Sequence, residues 1–141
     1  LMHICAKLGA NFTIANPEDY DILPSAVEIA RKFAAESGSR LTFLRDPHEA
    51  VKNAQAIYTD TWTSMGQEAE SKKRELVFPP YQVNAALVAE ADPKAIVLHC
   101  LPAHRGQEIT DEVADGPHSR LYPQAHNRMH AQKAILVKLL A

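Results

Sequence analysis

Short strand signals and helical signals alternate from one end of this chain to the other, and that alternation constrains the fold more than any other feature. "NFTIA" (11–15), "RLTFL" (40–44), "AIYTD" (56–60) and "AIVLH" (95–99) are brief β-rich runs, with "SRLY" (119–122) as a fifth candidate. Helical stretches separate them. "SAVEIARKFAAES" (25–37) places Val27, Ala30, Phe33 and Ala34 on one face before "GS" stops it. "DPHEAVKNA" (46–54) opens on Asp and Pro, a strong helix start. "QVNAALVAEA" (82–91) has Asn84 as a cap, and "DEVADG" (111–116) is short with a Gly stop. "PQAHNRMHAQKAILVKLLA" (123–141) reads as a long terminal helix with Pro at its first position. Strands spaced by helices in this way predict an α/β fold. The sheet is expected to be parallel, doubly wound and Rossmann-like, with about five strands flanked by helices. The all-apolar fourth run is of the kind buried on both faces.

A chain of 141 residues is long enough for one core. Its 15 basic and 17 acidic side chains leave a formal charge of −2 without any basic block, which argues against nucleic acid and anionic membrane as partners. No run approaches the roughly 18 apolar residues of a membrane span. The two cysteines, Cys5 and Cys100, are far apart and suit a reducing compartment rather than a disulfide framework. The opening "LMHICAKLGA" lacks the pattern of a secretory signal. It has the apolar spacing of a helix closed by Gly9, so the chain is expected to be a fragment or a separately handled domain.

In a parallel α/β sheet, ligands bind beyond the carboxyl ends of the strands. Two segments qualify by content, "TDTWTSMGQE" after the third strand and "HCLPAHRG" after the fourth. In the first, Asp60 can accept from an ammonium group, and the backbone around Ser64, Met65 and Gly66 can hold a carboxylate. Together these suit an α-amino acid zwitterion, although Asp and Ser before a helical stretch are also ordinary caps. In the second, His99 and Cys100 are adjacent, so their side chains leave a strand on opposite faces. Cys100 is therefore read as a polar contact in a ligand pocket rather than a nucleophile, with a buried inert thiol as the plain alternative. Leu101-Pro102 is the type of bond where cis peptides occur. His126 and His130 lie one turn apart without a third ligand nearby, which favours a surface or packing pair over a zinc site.

"DTWTSMGQE" (60–68), "HCLPAHRG" (99–106) and "NRMHAQKAIL" (127–136) closely resemble the ornithine carbamoyltransferase family in content and order. The resemblance runs from Leu1 to Ala141 and covers that family's second, ornithine-binding domain. Aspartate carbamoyltransferases share the fold but lack the S-M-G loop. The resemblance implies transfer of the carbamoyl group of carbamoyl phosphate to the δ-amine of L-ornithine, giving citrulline and phosphate without metal or cofactor. It implies that Asp60, Ser64 and the Met65 backbone hold the ornithine head group. Cys100 and the Leu101 backbone would lie by the δ-amine and the carbamoyl group, Arg128 would reach carbamoyl phosphate, and His99 would line the pocket. Asp60, Cys100 and Arg128 are the residues it makes catalytic, and Leu101-Pro102 is implied to be cis. "GQEAESKKRE" (66–75) resembles the family's mobile loop.

The same resemblance marks what this sequence lacks. The family's carbamoyl-phosphate domain with its Ser-Thr-Arg-Thr motif is not in it, nor is the Asp-Gly-Asn-Asn loop before the first helix. His126 stands where a Glu is more usual. The 141 residues are thus expected to be an ornithine-binding domain truncated at its N-terminus and inactive alone, and apolar faces near 1–8 and 132–140 would favour self-association. The family implies a homotrimer or multiples of trimers, in the cytoplasm or, in a eukaryote, the mitochondrial matrix. Two other readings stay open. One is a carbamoyltransferase for another amine, such as putrescine or an acylated ornithine; the other is a non-catalytic α/β binding module. No G-x-G-x-x-G follows any strand, which weighs against a dinucleotide.

Overall fold

The computed structural model describes residues 1–63, 66 and 68–141. The chain divides into two compact units, Leu1–Ala50 and Val51–Ala141.

The first unit runs α1 (Met2–Lys7), β1 (Phe12–Ala15), α2 (Pro24–Ser37), β2 (Leu41–Leu44) and the start of α3 (Pro47–Val51). Pro24 begins α2 because its fixed φ suits the first helical position. Gly38, at φ 80°, ends it in the left-handed conformation that a residue without Cβ adopts at little cost. β1 and β2 are parallel, from Phe12 opposite Leu41 to Ala15 opposite Leu44. Met2 and Ala6 of α1 pack with Ala30 and Ala34 of α2, with Val27 and Phe33 at the margin of the cluster. Small side chains let the helices approach closely enough for Ser37 Oγ to donate to the Ala6 carbonyl. The apolar face read from the sequence of α2 is the face that packs.

The second unit continues with β3 (Ala56–Thr59), α4 (Ser71–Val77), α5 (Ala85–Ala89), β4 (Ile96–His99), α6 (Asp111–Ala114) and α7 (Leu121–Leu140). β3 and β4 are parallel, with Ala56 opposite Ile96 and Thr59 opposite His99. Asn84 caps α5 as expected, its side chain accepting from the Leu87 N–H at 3.0 Å. Val83, Leu87, Val88, Val97, Ile109, Val113 and Leu121 form the core around this pair.

Parallel strand pairs flanked by helices, with a long C-terminal helix, place the chain in the expected α/β class. Among the described residues, the four strands pair as two two-stranded sheets, β1 with β2 and β3 with β4, and not as one hydrogen-bonded sheet of about five. Three further details differ from the sequence reading. The fifth strand candidate contributes a single parallel bridge, Val97 to Ser119, after which the backbone turns directly into α7. Consequently α7 begins at Leu121, with Pro123 inside its first turn rather than at its first position. Finally, β4 is not equally buried on both faces: Val97 and His99 are buried, whereas Ile96 and Leu98 are half-buried and line an open hollow beside Gln124 and Asn127.

Large apolar side chains lie on the surface at both chain ends. Leu1, Ile4 and Leu8 are exposed, as are Ile135, Leu136, Val137, Leu139 and Leu140. Patches of this kind drive association in water. The 141-residue chain will therefore self-associate as its concentration rises, and size-exclusion with light scattering checks this. A monomer mass that holds at every concentration would contradict it.

Candidate functional site

β3 and β4 are neighbours in register, so the loops that leave their carboxyl ends start side by side. Asp60 follows β3 directly and Cys100 follows β4. Their side chains meet: Cys100 Sγ donates to Asp60 Oδ1 at 2.8 Å. The same oxygen accepts from the Thr61 N–H at 2.7 Å. Asp60 Oδ2 has no partner among the described residues, which leaves one carboxylate oxygen free for a donor from outside.

His99, the last residue of β4, is buried and points into the core. Its Nδ1 accepts from the Leu101 N–H at 2.8 Å, and its Nε2 faces Glu108 Oε1 at 3.0 Å. A backbone N–H can only donate, so Nδ1 carries no proton and Nε2–H donates to the carboxylate. Glu108 is also fully buried, and its Oε1 accepts from the His104 N–H at 2.6 Å as well. Glu108 Oε2 accepts no hydrogen bond among the described residues, and His104 Nδ1 lies 3.9 Å from it. The His99 ring thus fixes the turn that follows it. Leu101 has φ 58°, a left-handed value that costs a residue with a Cβ roughly 1–2 kcal/mol. The His99–Leu101 hydrogen bond holds it there. The Leu101-Pro102 peptide is cis, as the resemblance implied.

The turn also corrects the expectation that His99 and Cys100 face apart. Strand geometry ends at His99, and beyond it Cys100 Sγ lies 3.9 Å from His99 Nδ1. The thiol nevertheless remains a thiol. Burial and the Asp60 carboxylate beside it push the Cys100 group up to about 11. This supports a polar contact over a nucleophile. Burial, with Cys100 nearby, also pushes the Tyr58 phenol up.

Two expectations follow for Cys100. Its alkylation by iodoacetamide will be slow at pH 8 and will accelerate with pH toward about 11. Asp60→Asn removes the charge that raises the thiol, so it will shift that rate profile to lower pH. Mass spectrometry of the Cys100 peptide measures both, and a profile unmoved by the substitution would contradict the Asp60 contact.

Asp60, His99, Cys100 and Leu101 therefore come together. Ser64 and Met65 lie outside the described residues. Arg128 is exposed on α7 and has no partner among the described residues. It sits one turn beyond Gln124, on the same helix face. Gln124 Oε1 accepts from the His99 N–H at 3.0 Å, so that face is turned toward the end of β4. Beyond Asp60, Trp62 is buried, and its carbonyl accepts from Arg74 of α4 at 2.8 Å. The segment resembling a mobile loop contains a helical turn at Glu68–Glu70 and most of α4.

Glu108, Gln124 and Tyr58 belong to this site but were not singled out from the sequence. Glu108 follows His99 by nine positions across an irregular segment with no period to relate them. Gln124 was within reach, since it lies one helical turn before Arg128. No group of three or more potential metal ligands occurs among the described residues, and no helix among them is long and apolar enough to cross a membrane.

Residues 1–139 match the family described as aspartate/ornithine carbamoyltransferase, Asp/Orn binding domain. The chain belongs to this family. It is 54% identical over 140 residues to the ornithine carbamoyltransferase of Bacillus subtilis, covering 99% of this chain and 44% of that protein. Over 133 residues it is 58% identical to the ornithine carbamoyltransferase of Rhodococcus jostii, covering 94% of this chain and 42% of that one. The solved ornithine carbamoyltransferase of Pyrococcus furiosus superposes with a TM-score of 0.90 at 51% identity, covering 96% of this chain and 43% of the other. The chain thus spans under half the length of these family members.

Proposed function

We propose that this domain binds L-ornithine for a carbamoyltransferase that makes citrulline and phosphate from ornithine and carbamoyl phosphate. The observation that carries the reading is the junction of Asp60 with Cys100 at adjacent strand ends, with the other Asp60 oxygen accepting no hydrogen bond among the described residues. In this reading Asp60 Oδ2 accepts from the α-ammonium of ornithine, while Ser64 and the Met65 backbone hold its carboxylate. The neutral thiol of Cys100 and the Leu101 carbonyl face the δ-amine. They can accept from its N–H groups without requiring it to be charged, and attack requires the neutral amine.

The δ-nitrogen forms a bond to the carbamoyl carbon, the carbon–oxygen bond to phosphate breaks, and the proton that the nitrogen loses ends on the departing phosphate. The chain's contribution is orientation, because the left-handed turn at Leu101 is already fixed by His99 before substrate arrives. Arg128 supplies positive charge for carbamoyl phosphate and its leaving group. These roles for Asp60, Ser64, Met65, His99, Cys100, Leu101 and Arg128 extend the family assignment to individual side chains. The pathway in this reading is arginine biosynthesis, in the cytoplasm, by an enzyme assembled as a trimer or a multiple of trimers.

Calorimetry with three amines tests the substrate. L-Ornithine will bind, whereas putrescine, which lacks the carboxylate, and Nα-acetyl-ornithine, which lacks the α-ammonium, will each bind at least tenfold more weakly. Equal affinity for putrescine would overturn the reading.

A further inference from the structure

Two histidines on α7 take no part in the site above. His126 and His130 are both exposed and lie one helical turn apart. Their rings stand edge to face with centroids 4.8 Å apart, and their Nε2 atoms face each other at 3.0 Å. Two neutral imidazoles in this arrangement can share only one N–H···N hydrogen bond, which in water is worth roughly 1 kcal/mol. With that proton displaced, both nitrogens can serve one cation. Bonded at about 2.1 Å with a right angle between ligands, a metal needs nitrogens about 3.0 Å apart; a tetrahedral one needs about 3.4 Å. The observed separation matches the right-angled bite.

We propose that His126 and His130 form a two-histidine chelate for a divalent transition metal that accepts square-planar or octahedral geometry, of the Ni²⁺ or Cu²⁺ class. Water completes the coordination, since both rings face solvent. Imidazole nitrogen selects such ions over Mg²⁺ and Ca²⁺, which prefer oxygen. The mid-helix backbone presets the spacing, because both residues lie well inside α7, so little ordering is left to the binding step. Three of the other five histidines are committed elsewhere. His99 is committed to Glu108 and Leu101, His3 to the Ala26 carbonyl and His118 to the Ala95 carbonyl.

Calorimetric titration of the reduced, untagged, chelator-stripped protein with Ni²⁺ at pH 7.5 tests the site. One site per chain is expected, with affinity falling at least tenfold in His126→Gln and again in His130→Gln, but less than twofold in His104→Gln. Ni²⁺ should also slow amide hydrogen exchange around residues 126–134 of α7, because the chelate staples one turn. Affinity retained within twofold in both His126→Gln and His130→Gln would assign the metal to other ligands and overturn the proposal. Unchanged exchange in that turn on saturation with Ni²⁺ would overturn it equally. The proposal is independent of ornithine binding, and either can fail alone.

Discussion

Glu108→Ala will lower the free energy of unfolding by about 3–5 kcal/mol, the largest stability loss expected from any single polar side chain here. Glu108 is fully buried, and one of its oxygens accepts from both His99 Nε2 and the His104 N–H. Truncation leaves both donors without their acceptor, at roughly 1–3 kcal/mol each, and opens a cavity where the fully buried side chain stood. It also releases the His99 ring, and with it the hydrogen bond that holds Leu101 left-handed. Glu108→Gln keeps one carbonyl oxygen in place and should cost only about 1 kcal/mol. Urea unfolding of the two variants separates the cases. A Glu108→Ala protein within 1 kcal/mol of the parent would mean that the pair does not support the turn.

Asp60→Ala is expected to weaken L-ornithine binding by roughly 10- to 150-fold, the loss of one charge-assisted hydrogen bond of about 1.5–3 kcal/mol. Stability should change little, because Asp60 stands at the strand end and not in the core. Asp60→Asn keeps the shape and the hydrogen bond from Thr61, so it isolates the effect of charge. It should recover less than a tenth of the lost affinity if the α-ammonium is the partner. Calorimetry at constant ionic strength reads both variants, and full affinity in Asp60→Ala would remove Asp60 from the binding site.

How much of this was legible in the sequence follows the range of the forces involved. Helices α2 and α5 could be read because their signals are local: an apolar face and a left-handed Gly38 in one, the Asn84 cap in the other. The strands could be read as short apolar runs, and their parallel pairing followed from the helices between them. The boundary near Ser119 could not, because a strand reduced to one bridge is decided by its neighbour Val97 and not by its own residues. At the site, Asp60 and Cys100 were visible as strand-end residues with suitable chemistry. Their contact was not, since it depends on the register of β3 against β4. Glu108 was hidden for a related reason. A buried carboxylate is stable only with its partners, and the sequence does not display them.

In the proposed function, ornithine sits between the ends of β3 and β4. Titrating the ¹⁵N-labelled protein with L-ornithine while following backbone amide signals tests it most directly. Saturable shifts should concentrate at Asp60, Thr61 and Trp62, and at His99, Cys100 and Leu101, and should vanish in Asp60→Ala. Ornithine-dependent shifts confined to other parts of the chain, or persisting unchanged in Asp60→Ala, would contradict the account.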